Sequence, residues 1–202
     1  MARQGSYAKG VAKREEILEK ALEVVARVGY SGATVRQLAD AVGLTQNGLL
    51  YYFGSKENLF VEILRHRDRL DDSAYGGEAS GLDLGKTMGR FIRHNAEVPG
   101  LVQLYAGLAA EATSPEHPAH TYFQERYDTF RSRGLESTRS LQAAGKIPSH
   151  IDLDNLVIVI LAVADGLQTQ WLYNPHIDME EHFLRYWDQL SAGWTARARN
   201  AP

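Results

Sequence analysis

Residues 34–57, TVRQLADAVGLTQNGLLYYFGSKE, confine the N-terminal part of this chain to one local arrangement. Leu38, Ala39, Val42, Leu44, Leu49 and Phe53 recur at helical spacing and supply one apolar face. Gly43 stands where the first helix must stop and the chain must turn. Thr45 follows as an N-cap, with a side-chain oxygen able to accept from a free helix amide. Two short helices joined by a tight turn make a helix-turn-helix, whose second helix can lie in the major groove of DNA. Lys56 comes just after it, placed to meet phosphate.

The second helix carries the chemistry for reading bases. Its start is Thr45-Gln46-Asn47-Gly48. Gln46 and Asn47 can each form paired hydrogen bonds, most naturally with adenine. Gly48 has no side chain to hold the helix out of the groove. A solvated polar turn is the competing reading of these four residues taken alone. Tyr51, Tyr52 and Lys56 are candidate phosphate anchors, helped by the free amides at the start of the next helix. One of the two tyrosines can instead pack on the first helix. Thr34 can cap its helix and donate to phosphate. Arg36 can reach DNA or pair with Asp40 at i, i+4.

The region also resembles the N-terminal domain of the TetR family of bacterial transcription regulators. The resemblance runs from Arg14 to Leu64. Ala21, Gly29, Tyr30, Thr34, Val35, Arg36, Leu38, Ala39, Gly43, Leu44, Thr45, Phe53, Lys56, Glu57 and Leu59 carry it. Asn47 stands where that family usually has glycine, and Leu50 where it usually has tyrosine. The second departure removes one phosphate-contacting hydroxyl, which Tyr51 or Tyr52 can replace. In the family, the residue matching Arg36 reaches a base or a phosphate.

Charge and length set wider bounds. The chain has 202 residues, no cysteine and a formal net charge of −3. Disulfides and thiolate metal sites are therefore excluded. Residues 1–70 carry 11 Lys+Arg against 8 Asp+Glu, and the remainder 11 against 17. A positive N-terminal module on an acidic body fits phosphate binding at one end. The N-terminus lacks the apolar core of a signal peptide. The longest apolar run, residues 156–164, is too short to span a bilayer, so no membrane partner and a cytoplasmic location are expected.

The pattern predicts an all-α chain of about nine helices and no sheet. The first helix is expected over 12–28, after a mobile arm at 1–10 that holds Arg3 and Lys9. Helices two to four fall at 35–42, 46–52 and 56–71. Residues 72–82, turn-rich and polar, are expected to be the joint. Helices five to nine are expected at 83–97, 101–112, 119–144, 153–173 and 179–197, with Pro99-Gly100 as a break. The expected division is a DNA-binding domain at 1–55, a connecting helix at 56–71 and a larger helical domain at 72–202 for ligand binding and dimerisation.

The C-terminal body holds candidates for a small-molecule site. Phe91, Tyr105, Tyr122, Phe123, Tyr127 and Phe130 are more large aromatics than a DNA-binding module needs. They fit a plain helical core or the apolar lining of a pocket. Asp165 follows LVIVILAVA, so it needs a partner. A ligand, a dimer interface or a backbone irregularity at Gly166 could each supply one. Gln168 raises the same question. The family resemblance implies a pocket between the fifth and eighth helices for an unidentified effector. No histidine–carboxylate spacing suggests a metal, no nucleophile–base pattern suggests catalysis, and no cofactor is expected.

On the ninth helix, Met179, Phe183, Trp187, Leu190 and Trp194 form an apolar seam. Val157, Leu161, Ala164 and Leu172 form a second on the eighth. Two such seams can serve one chain's core or a four-helix interface between two copies. The resemblance implies a homodimer through the eighth and ninth helices on a two-fold operator. It also implies a repressor released by ligand, through a shift of the fourth helix. The alternatives are a helical carrier or enzyme with an incidental helix-turn-helix, and a regulator controlled by a protein partner.

Overall fold

The computed structural model describes residues 2–75 and 84–199. The described residues form nine α-helices: α1 (Ala2–Gly32), α2 (Val35–Ala41), α3 (Gln46–Phe53), α4 (Lys56–Tyr75), α5 (Leu84–Ala96), α6 (Pro99–Glu111), α7 (His120–Ala143), α8 (Leu153–Tyr173) and α9 (Met179–Arg199). The all-helical expectation holds. Packing gathers them into two units, Met1–Ser73 with Val98–Phe123, and Ala74–Glu97 with Gln124–Pro202.

In the first unit α1 is the central element. Ile17, Leu18, Ala21 and Val25 are fully buried, facing the cores of the neighbouring helices. The helix is broken at Gly29, whose φ of 72° and ψ of 177° turn the chain toward α2. Val28, where the first helix was expected to end, is exposed. The other end also differs from the sequence expectation, because the backbone is helical from Ala2 onward and not an arm. Ala2, Arg3, Gln4 and Ala8 are good helix formers, and an extended helix leaves few backbone groups unpaired. The expected joint at 72–82 is helical as far as Tyr75, and 76–83 lie outside the described residues.

The α6 helix packs on α1. Pro99 does not break a helix here. It starts one, at the first position, where a missing N–H costs nothing. Gly100 follows, and the reason is steric. A Cβ on it would lie 2.1 Å from the carbonyl oxygen of Val25 and 2.6 Å from that of Ala26. The bare α-carbon lets two helix backbones meet.

In the second unit α9 packs against α5 and α8. Phe183 and Ile92 are fully buried, and Met179, Trp171, Leu156 and Ile160 nearly so. Arg93 of α5 forks onto both carboxylate oxygens of Glu180 on α9. The ninth-helix seam is spent largely inside this unit. Met179, Phe183 and Trp194 are buried within the chain, and Trp187 stacks edge-on against Trp194 at 5.7 Å between ring centres. By length and composition α8 could cross a membrane, contrary to the reading of its shorter apolar run; only 33% of its apolar stretch is buried in the chain. The helix continues past residue 164 with a single charge, at Asp165, which is why the short run understated it.

Candidate nucleic-acid interface

The helix-turn-helix is built by capping. Thr34 Oγ1 accepts from Gln37 N at 3.2 Å, and Gln37 Oε1 accepts from Thr34 N at 3.0 Å, a reciprocal capping box at the start of α2. The Thr34 hydroxyl also donates to Gln37 Oε1 at 2.9 Å, so a phosphate would have to replace that bond. The T-x-x-Q spacing of Thr34 and Gln37 is the sequence signature of this box.

α2 ends in a Schellman motif. Leu44 N donates to Ala39 O at 2.9 Å and Gly43 N to Asp40 O at 3.2 Å, with Gly43 at φ 68°. Both helices are too short to stand alone in water, at seven and eight residues. Buried Leu38, Ala39, Leu49 and Phe53 hold them to the unit.

α3 then presents its polar start outward. Thr45 Oγ1 accepts from Gly48 N at 3.0 Å. Gln46 and Asn47 are exposed and lie in the first turn. A Cβ on Gly48 would sit 3.1 Å from Thr45 Oγ1. Glycine therefore protects the cap as well as thinning this face. Tyr51 is 88% exposed, whereas Tyr52 is half-buried beside it, its carbonyl taken by Arg14 of α1. The two rings meet edge-on at 6.0 Å.

At the start of α4, Ser55 Oγ accepts from Asn58 N at 3.1 Å. Lys56 is exposed, with its ammonium 5.4 Å from the Phe60 ring centre and 5.9 Å from that of Tyr30. The aromatic faces hold its stem while the charge stays in water. Tyr30 Oη donates to the Glu111 carboxylate, 3.2 Å from either oxygen. Burial first, then the Glu111 charge, pushes the Tyr30 phenol above its ordinary value. Arg36 Nε lies 3.9 Å from Asp40 Oδ2, both side chains being largely exposed. So loose a surface pair holds neither partner strongly.

The candidate effector residues divide between the units. Tyr105 and Phe123 are buried in the first, with ring centres 5.5 Å apart, and Tyr122 meets Phe123 at 5.0 Å. There they form one aromatic cluster. Phe91, Tyr127, Phe130, Asp165 and Gln168 belong to the second unit. The three aromatics are half-buried, and the Arg126 guanidinium stacks on Phe130 at 4.4 Å. Tyr127 Oη donates to Asp165 Oδ2 at 2.6 Å. Gln168 is buried, and its Oε1 accepts from Asn95 Nδ2 at 3.5 Å. Asn95 on α5 was missed, because a single polar residue at the end of a helix carries no pattern. The reading that ties Asp165 to a backbone irregularity at Gly166 is wrong: α8 runs unbroken through it.

The family model described as bacterial regulatory proteins, tetR family, matches residues 17–63. The HTH-type transcriptional repressor AcnR of Corynebacterium glutamicum is 48% identical over 52 residues, 26% of this chain and 28% of that protein. AcnR of Corynebacterium diphtheriae is 28% identical over 192 residues, 85% of this chain and 87% of that protein. A transcriptional regulator from Saccharomonospora viridis, crystallised in complex with choline, aligns at a TM-score of 0.66 and 23% identity, covering 88% of this chain and 94% of its own. A capped helix-turn-helix with an outward polar start and the matching family model lead to one assignment for the N-terminal region: residues 17–63 carry the DNA-binding domain of the tetR family of bacterial regulatory proteins, in a chain whose helical fold solved regulators share.

Proposed function

We propose that the protein is a homodimeric repressor that α3 directs to a two-fold operator and a small-molecule effector releases. The exposed start of α3 carries this reading. Gln46 and Asn47 read base edges, with Thr45 and Gly48 shaping the approach. Tyr51, Lys56 and the free amides at the start of α4 take phosphates, with Thr34, Arg36 and Tyr52 beside them. Such a protein works in the cytoplasm, where its DNA is.

Duplexes that the wild-type chain enriches from a random-sequence library supply the test. Gln46→Ala or Asn47→Ala should weaken binding to them by about 1–3 kcal/mol and barely affect a scrambled duplex. Lys56→Ala should weaken both and lower the salt slope by about one. Equal losses for Gln46→Ala on both duplexes would remove it from base reading.

The dimer reading rests on the outer face of α8. Ile158 is 47% and Tyr173 is 88% exposed on a helix that buries only a third of its apolar stretch in the chain. A second copy covers that face, with α9 beside it. Ile158→Glu should weaken association by about 2 kcal/mol or more, because its carboxylate would lose water without a partner. Sedimentation across a concentration series measures it. A wild-type chain that stays monomeric at micromolar concentration would sink the idea.

The effector reading rests on the half-buried aromatics and the polar groups of the second unit, Tyr127, Asp165 and Gln168. Few placed polar groups among aromatic surfaces suit a small organic molecule. The choline bound by the Saccharomonospora viridis regulator gives one precedent on the same fold.

A further inference from the structure

Arg14 reaches out of α1 to three partners on α3 and α4. Its Nη1 donates to the Tyr52 carbonyl at 2.5 Å. Its Nη2 lies 2.8 Å from Glu62 Oε2. Its guanidinium carbon sits 4.5 Å from the Phe53 ring centre. The Tyr52 carbonyl is among the last four of α3, which have no amide partner within the helix. A cation there also meets the negative end of the helix dipole.

α3 is a short helix with little stability of its own, so its tilt is set from outside. Thr45 fixes its start, and buried Leu49 fixes its middle. Arg14 fixes its end. Glu62 holds the guanidinium in place and is itself shared with Arg65, whose Nε lies 3.7 Å from Oε1. Bonding along one edge while stacking on a ring needs a planar fork, which lysine lacks.

We propose that Arg14 is a positioning residue. It touches no DNA, and it clamps the C-terminal end of α3 so that Gln46 and Asn47 meet base edges at one angle. This rests on α3 being the reading helix.

The experiment uses the full chain, the library-enriched duplex and a scrambled duplex of equal length. Arg14→Lys and Arg14→Met should each weaken the enriched duplex about tenfold, the scale of one lost charge-assisted hydrogen bond. The scrambled duplex should change by less than about twofold, with the salt slope unchanged. Backbone amides of residues 50–54 should exchange faster in both variants, while those of Ile17 to Ala21 should not. Glu62→Gln should act in the same direction, and Arg14→Met with Glu62→Gln should cost no more than Arg14→Met alone.

Equal losses on both duplexes with a salt slope lowered by about one would place Arg14 on a phosphate and overturn the proposal. An unchanged ratio of the two affinities beside a lowered melting temperature would leave only a stability role, and overturn it too. Additive losses in the double variant would break the link to Glu62. A wild-type chain that enriches no duplex would defeat the reading of α3 itself. In that case exchange at residues 50–54 still decides the clamp, which falls if Arg14→Lys leaves that exchange unchanged.

Discussion

Gly100→Ala is expected to destabilise the N-terminal unit by about 2 kcal/mol, net of the roughly 1 kcal/mol that alanine gains over glycine in a helix. The sign follows from which atoms stand in the way. The new methyl would meet the carbonyls of Val25 and Ala26 at 2.1 and 2.6 Å, and these belong to a helix backbone. A side chain could swing aside, but a hydrogen-bonded backbone moves only with its helix. α6 must therefore lift off α1, which thins the contact around buried Leu104 and Leu108. Chemical denaturation with far-UV circular dichroism measures the loss. An unchanged midpoint would show that α6 does not press on α1 at this position.

Trp194→Glu should cost more, at least the roughly 3–5 kcal/mol lost when a buried aromatic is cut back to alanine. Trp194 is 7% exposed within its own chain and stacks edge-on with Trp187. Trp187 in turn fills the space beside Gly85, where a Cβ would lie 2.3 Å from its ring. A carboxylate in that place loses hydration and gains no partner. The loss should appear as a lower melting temperature that does not depend on protein concentration. If the variant melted like the wild type and only its association weakened, the ring would belong to an interface between copies. Trp194 lies near the chain end and is nevertheless buried. Position along the chain says little about burial when the last helix packs on the fifth.

The helical layout was legible because its signals are local. Thr45 and Gly43 mark helix ends by their own chemistry, and α8 runs over the residues 153–173 that its pattern predicts. The exposed start of α3 was legible for the same reason. Side-chain partners distant in sequence were not. Arg14 and Tyr52 stand 38 positions apart, and nothing in either residue names the other. The α9 seam was seen, but periodicity gives only the existence of an apolar face and not what covers it. Pro99-Gly100 reads equally as a stop and as a start, because proline both ends and begins helices. Choosing between these requires knowing that α1 waits for a bare α-carbon.

The discontinuity of the first unit limits how this regulator can be rearranged. Residues 98–123 complete a body that residues 1–73 begin. A fusion that transplants only the leading segment onto another regulator would leave the Val25–Ala26 carbonyls facing a foreign helix. If that helix lacks glycine at the matching place, the graft meets a side chain where α1 accepts none. Recombination between paralogues is constrained in the same way: a crossover between residues 73 and 98 separates two surfaces shaped to each other. The exposed side chains on α3 lie outside this shared surface and can be exchanged one at a time, whereas the leading segment cannot be cut out whole.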